Sequence, residues 1–218
     1  MKKAILFGAS GFIGSQLLQA LLIYAEYEQV IIVVRKPLEV SHQKLKILTG
    51  DFDSLPQLKK DIIGNEIFIA LGTTKKNTPD QNKYYEVDHD YPVLAAKLAK
   101  ENGAESVFIV TAVGANASSR IFYTKTKGET ERDIIALDFK HTHIFQPSMI
   151  MGNRKENRAG EKFFIKIFSF ISPLLVGKLS KYKGIHGKDV AMAMLNAAKN
   201  QTAKVKIYQW SEMMELLN

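Results

Sequence analysis

The chain has 218 residues, 46% of them hydrophobic and 24% charged, with 14 Gly and 6 Pro. These are ordinary values for a folded soluble domain, and they exclude collagen-like, low-complexity and disordered chains. With no Cys, disulfide frameworks, Cys-ligated zinc, iron–sulfur clusters and cysteine nucleophiles fall away together, while 30 Lys and Arg against 22 Asp and Glu leave a net charge of +8.

In chain order, short apolar runs alternate with stretches of helical period. Strands are expected at Ala4–Gly8, Val30–Arg35, Lys46–Thr49, Ile67–Leu71, Val107–Thr111 and His143–Gln146, with a weaker one at Val205–Trp210. Helices are expected at Gly14–Tyr24, Tyr91–Asn102, Phe122–Leu137 and Lys188–Lys199. The strand runs show little apolar/polar alternation, as expected of strands covered on both faces. The alternation itself predicts an α/β fold, a doubly wound parallel sheet of the Rossmann type. The whole chain, 1–218, reads as one NAD(P)-binding domain. Residues 151–188, rich in Phe, Lys and Gly, break the pattern and are expected to form a small substrate-side cap over the carboxyl edge of the sheet, where ligands bind in such folds.

Directly after the first strand stands Gly8-Ala9-Ser10-Gly11-Phe12-Ile13-Gly14, and then a helix opens. Gly8 suits a tight turn, Gly11 lets backbone amides approach a pyrophosphate, and Gly14 allows close helix–strand packing. The helix N-terminus attracts the phosphate charge. A glycine pattern alone is weak evidence; the strand–turn–helix setting is what the mechanism requires. An NAD site places Asp or Glu about 20 residues beyond this loop. Here Arg35-Lys36 follow the second strand. A guanidinium grips a 2′-phosphate bidentately where a carboxylate would repel it, so NADP(H) is the expected cofactor.

Tyr123 and Lys127 form Y-x-x-x-K, and on a helix i and i+4 share a face. A nearby ammonium favours the phenolate, bringing the phenol toward a working pH as acid or base. With 8 Tyr and 30 Lys and Arg in the chain, about one such match arises by chance. Thr111, at the end of a strand, offers a hydroxyl to hold a substrate oxygen. Together with the glycine loop, the three make a catalytic set.

At these residues the sequence resembles an atypical short-chain dehydrogenase/reductase, of the Tat-interacting-protein-like branch of NADP-binding oxidoreductases. The likeness runs through GASGFIG, Arg35-Lys36, ALGTT from Ala70 to Thr74 and VDHDYP from Val87 to Pro92. It continues in VGANASSRIFYTKTKGETE from Val113 to Glu131 and QPSMIMGNRKENR from Gln146 to Arg158. The resemblance implies that Ser10, Gly11, Phe12 and Ile13 line the pyrophosphate and that Arg35 meets the 2′-phosphate. It puts Asp51 and Phe52 at the adenine, and Leu71, Gly72 and Thr73 at the fourth-strand turn. Ile150 and Arg158 become late cofactor contacts, Tyr123 the proton donor and acceptor, and Lys127 its partner. Two departures stand out: the family's usual Ser is Thr111, and its usual Arg before the sixth-strand Pro is Gln146.

The expected activity is NADP(H)-dependent oxidoreduction of a CH–OH/C=O pair in a small, apolar substrate. The rival reading is an NADPH-binding regulatory or redox-sensing protein with little or no turnover. A nucleotide-sugar epimerase is a further possibility on the same scaffold, although the short C-terminal region leaves little room for a sugar nucleotide. The excess of cations suggests an anionic partner, but they are scattered in pairs such as Lys59-Lys60 and Lys75-Lys76, as on a solvated surface. Nucleic acid is not expected as a partner. The apolar stretch from Phe163 to Leu179 is interrupted by Lys166, Pro173 and Gly177 and is too short to span a bilayer, so no stable membrane insertion is expected. A homodimer or a regulatory protein partner remains compatible with the pattern.

The opening residues lack a signal-peptide apolar core, which makes the cytoplasm the default location. The five His show no metal-ligand constellation. Asp88 and Asp90 read as caps of the helix beginning at Tyr91.

Overall fold

The computed structural model describes residues 1–152 and 175–218. Its strands are β1 (Lys2–Phe7), β2 (Tyr27–Val34), β3 (Leu45–Thr49), β4 (Glu66–Ile69), β5 (Ser106–Val110), β6 (His141–Phe145), β7 (Ile150–Met151), β8 (Ile185–His186) and β9 (Val205–Tyr208). The helices are α1 (Phe12–Ile23), α2 (Gln81–Tyr85), α3 (Tyr91–Glu101), α4 (Phe122–Ala136), α5 (Gly187–Lys199) and α6 (Trp210–Glu215), with a π turn over Glu86–Asp90. Seven strands form one sheet in the order β3-β2-β1-β4-β5-β6-β9, and β7 pairs separately with β8. Every neighbouring pair in the large sheet is parallel. The winding reverses between β1 and β4, and this reversal opens the crevice where open α/β sheets bind ligands.

The alternation of side chains along each strand divides the interior into two layers. Ala4 and Leu6 of β1 join Phe68, Phe108, Leu17 and Leu21 of α1, and Val190 and Met194 of α5. Ile5 and Phe7 join Ile67, Ile109, Ala95 and Ala99 of α3, and Ile134 of α4. All positions of β4 and β5 are buried. Their apolar runs therefore lack alternation because both faces are covered. Across the first layer Phe68 stacks on Phe108 at 4.6 Å between centroids, and Phe108 stacks on His143 at 4.7 Å. Burying one such ring contributes roughly 1.5–3 kcal/mol. His143 Nδ1 meets the Tyr208 hydroxyl at 2.8 Å, and burial holds the imidazole pKa down to about 4, so the ring stays neutral in this stack. At the amino-terminal rim, buried Glu66 accepts from Lys2 Nζ at 2.9 Å, from Gln201 Nε2 at 2.7 Å and from the Tyr27 hydroxyl.

Several expected boundaries are corrected. Arg35, Leu71, Thr111 and Gln146 lie past the ends of their strands rather than within them; Arg35 and Leu71 wall the crevice. The weak strand at Val205–Trp210 stops at Tyr208, where Gln209 and Glu212 form a reciprocal capping box that starts α6. The expected capping by Asp88 and Asp90 is overturned. The π turn runs straight into α3, and Asp90 makes no side-chain cap. Asp80 is the capping carboxylate, taking the Lys83 amide at 2.9 Å to start α2. Of the cap expected over 151–188, the structure describes Met151, Gly152 and the segment from Leu175 on, including a 3-10 turn at Gly177–Tyr182 and strand β8. Residues 153–174, with the aromatic run from Phe163 to Phe170, lie outside the described residues.

Candidate active site

The cleft at the switch point has a volume of about 400 Å³. Its floor is the turn after β1. Gly8 has φ +88°, and an added Cβ there would stand 2.5 Å from the Ala70 carbonyl oxygen. An added Cβ on Gly14 would stand 2.0 Å from the Gly8 carbonyl oxygen. The turn is thus wedged between β4 and the first turn of α1, at a distance only glycine allows. Gly11 caps α1 without a side-chain hydrogen bond, and no acidic residue stands in the first turn. A diphosphate fits this donor set, since nothing anionic competes for the helix N-terminus.

Gly8, Ser10, Gly11, Arg35, Asp51, Phe52, Leu71, Gly72 and Thr73 all border the cleft. The other expected cofactor residues go elsewhere. Ile13 is in the core, and Gly14 packs against the turn from below. Phe12 lies over Gly152 and Gly187, so its ring braces the β7–β8 side of the molecule. Lys36 is exposed and does not line the cleft. Ile150 sits in β7, half-buried against the first layer. Arg158 lies outside the described residues.

The far end of the cleft has a wall that the sequence did not announce. Tyr91 stacks on Phe52 with centroids 4.1 Å apart and planes at 15°, beside Arg35 and Asp51. Asp51 holds the loop by accepting from the Ser54 amide at 3.0 Å. The bond from the Ser54 hydroxyl, and then that amide bond, keep its carboxyl below the usual range.

At the near end stands α4. Lys127 is 5% exposed and ion-paired with Asp88, which is 1% exposed. Asp88 also accepts from the Thr73 amide at 2.8 Å, while its own carbonyl accepts from the Thr130 hydroxyl at 2.8 Å. The π turn carries this carboxylate inward; such turns, with their i→i+5 bonding, recur at functional sites. A Cβ on Gly72 would be 3.7 Å from Lys127 Nζ, so the ammonium stands behind the Gly72 turn, and neither Lys127 nor Tyr123 borders the cleft itself. Tyr123 stands one turn before Lys127, 44% exposed. Although its ring is open to solvent, burial around the hydroxyl, and then the Asp88 carboxylate, push the phenol above its ordinary value near 10. Lys127, expected to draw the phenol down, is paired with Asp88.

Thr111 also departs from expectation. It is 5% exposed, and its hydroxyl donates to Glu131 of α4, away from the cleft. Gln146 Nε2 donates to both Glu131 oxygens, at 2.9 and 3.0 Å, and Gln209 donates to Gln146 Oε1 at 3.0 Å. Burial raises the Glu131 carboxyl, against the hydrogen bonds from Thr111 and Gln146 and the charge of Lys127. Where the resembled family carries Arg, Gln146 holds this carboxylate with a neutral amide. His89, itself buried, bridges Asp90 at 2.7 Å and Asp133 at 2.9 Å between the π turn and α4. Asp88 and Tyr91 are the residues that sequence reasoning passed over. The only signal was the VDHDYP string itself, read as a cap.

A family model described as NAD(P)H-binding matches residues 8–163. Among curated relatives, "Protein FMP52, mitochondrial" of Candida glabrata is 31% identical over 223 residues, covering 99% of this chain and 95% of its own. The protein of the same name from Saccharomyces cerevisiae is 30% identical, covering 93% and 90%. Two solved structures share the fold at low identity. UDP-glucose 4-epimerase of Thermotoga maritima, bound to UDP-glucose, has a TM-score of 0.71 and 14% identity, covering 95% of this chain and 76% of that one. Bordetella bronchiseptica WbmH, bound to NAD+, has a TM-score of 0.70 and 16% identity, covering 96% and 75%. The fold is that of an atypical short-chain dehydrogenase/reductase, as the motifs implied. The cytoplasmic expectation is corrected: the relatives' names carry "mitochondrial" in yeast after yeast, and the lack of an apolar signal core never bore on that compartment.

Proposed function

The chain belongs to the NAD(P)H-binding family, and from that premise we propose that it is an NADP(H)-dependent oxidoreductase acting on a CH–OH/C=O pair of a small, apolar molecule. The observation that carries this reading is the approach of α4 to the turn that walls the cleft: Lys127, one turn after Tyr123, stands behind Gly72. A bound NADP(H) would supply or take the hydride. Gly8, Ser10 and Gly11 would hold its diphosphate at the α1 N-terminus, Arg35 its 2′-phosphate, and Phe52 with Tyr91 its adenine end. Tyr123 would move the proton at the substrate oxygen, with Lys127 anchored beside the ribose.

Support for the phosphate preference is the guanidinium at the β2 end, which makes no ion pair with a carboxylate among the described residues; Asp51, which shares that end of the cleft, is engaged with Ser54. NADPH is expected to raise the midpoint of thermal unfolding well above NADH at equal concentration, by linkage. Arg35→Asp is expected to erase that difference, weakening NADPH at least about tenfold while leaving NADH where it was. Equal stabilisation of the wild type by both cofactors would overturn the preference.

A second reading, an NADPH-binding sensor that scarcely turns over, draws support from the Thr111 hydroxyl. That group donates to Glu131 and so does not serve the substrate oxygen it was expected to hold. Steady NADPH consumption with a panel of simple apolar aldehydes and ketones would decide for the enzyme. Capture of a protein partner that depends on NADPH, without consumption, would decide for the sensor.

A further inference from the structure

Phe12 stands where two parts of the molecule meet. It is the first residue of α1, directly after Gly11, so its backbone belongs to the turn proposed to seat the diphosphate. Its side chain, half-buried, lies against two glycines far apart in sequence. An added Cβ on Gly152 would stand 2.5 Å from the ring tip, and one on Gly187 would stand 2.4 Å from the ring edge. With a side chain at either position the ring would have to move. Gly152 also has φ +136°, a conformation open to glycine. Gly152 follows β7 and Gly187 follows β8, so one ring lies against the carboxyl ends of both strands of the small sheet.

That sheet has little of its own to hold it. Its strands are two residues each, Ile150–Met151 and Ile185–His186, and so short a ribbon is not stable alone. Its place is set by what it packs on. Ile185 is buried in the first layer, and its amide donates to the Met149 carbonyl at 2.9 Å. Trp210, at the start of α6, donates from Nε1 to the Gly184 carbonyl at 3.2 Å. These contacts hold the ribbon to the sheet and to α6, and Phe12 adds a hold on the turn after β1.

We infer that Phe12 is a positioning residue that ties the β7–β8 ribbon to the dinucleotide seat, so that a bound cofactor steadies the ribbon. This rests on the reading of the Gly8–Gly14 turn as the seat, and it adds a coupling between that seat and the two ends of the segment expected on the substrate side. A diphosphate at the α1 N-terminus restrains the backbone of Phe12, and with it the direction of the ring against the two glycines. Such a coupling is reciprocal. By whatever factor the cofactor makes opening of the ribbon rarer, the closed ribbon makes cofactor binding tighter.

Hydrogen exchange at the ribbon reads the tie without turnover. In the wild type, saturating NADPH is expected to slow exchange at Met151, Gly152, Ile185 and Gly187 by about fivefold or more, the low end for coupled sites. Phe12→Ala keeps the backbone of the turn and removes the ring. At saturating NADPH it is expected to show no such slowing, and its NADPH affinity is expected to fall by about the same factor. Exchange at Leu17 and Leu21 of α1 should stay at the wild-type rate. A wild-type ribbon indifferent to bound NADPH overturns the inference, and so does a ribbon still slowed in Phe12→Ala.

Should that variant fail to fold, Phe12→Leu keeps apolar bulk on α1 without a flat ring to lie on both glycines, and the same two outcomes decide. A protein whose thermal midpoint neither NADPH nor NADH raises overturns the cofactor reading and the inference together. One that binds NADPH with unchanged ribbon exchange contradicts only the tie. One that shows the slowing, loses it in Phe12→Ala, and consumes no NADPH with the carbonyl panel supports the tie and contradicts only the enzymatic reading.

Discussion

Tyr123→Phe is expected to cut carbonyl turnover by roughly 10²- to 10⁴-fold, the range for loss of a general acid, while leaving NADPH affinity nearly unchanged. The geometry makes the loss hard to compensate. The Thr111 hydroxyl is turned to Glu131, Lys127 is held by Asp88, and Ser119, before the start of α4, is bonded to Thr124 at 2.6 Å. No other proton donor among these stands ready at the substrate side. The change is also mild structurally, since the ring is partly exposed and its packing survives loss of one oxygen. NADPH consumption with an aldehyde and ketone panel reads the first effect, and fluorescence titration of NADPH reads the second. Wild-type turnover in the variant would remove Tyr123 from the chemistry.

Gly14→Ala is the second large effect, and its sign is diagnostic. In an exposed helix, Ala in place of Gly stabilises by up to about 1 kcal/mol. Here the new methyl would stand 2.0 Å from the Gly8 oxygen and 2.6 Å from the Gly8 carbonyl carbon. The turn has nowhere to retreat. Gly8 already lies so close to Ala70 that a Cβ of its own would be 2.5 Å from that oxygen, and its carbonyl accepts the Gly11 amide at 2.9 Å. Relief must come from lifting α1 or opening the turn, at a cost of roughly 1–3 kcal/mol, and either movement dismantles the anion site. Urea unfolding should show a less stable protein, and the NADPH-induced rise in thermal midpoint should largely disappear. A variant as stable and as responsive to NADPH as the wild type would show that the turn is not the cofactor's seat.

The secondary effects follow from the same geometry. Arg35 acts at the far end of the cleft and alters the choice of cofactor.

How much of this could be read from the chain divides along contact distance. The strands of the large sheet, the glycine turn and the Y-x-x-x-K face on α4 rest on periodicity and spacing within a few residues, and those signals survive without a tertiary frame. Arg35 was legible for the same reason: it follows a buried strand, where a ribose-facing carboxylate would otherwise stand. The π turn was not. Its five residues, EVDHD, look like a polar helix start, yet the turn buries both Asp88, against Lys127, and His89, against Asp133.

Composition and local pattern thus determined a wound parallel sheet, a nucleotide turn at its first strand and a tyrosine–lysine face at its rim. Tertiary structure alone decided what charge that face presents. Asp88 finds Lys127 across 39 positions of sequence, Thr111 finds Glu131 across 20, and Phe52 finds Tyr91 across 39. Such pairings follow from which buried groups the sheet brings together, where an unpaired charge costs several kcal/mol and must take whatever counter-charge lies within reach.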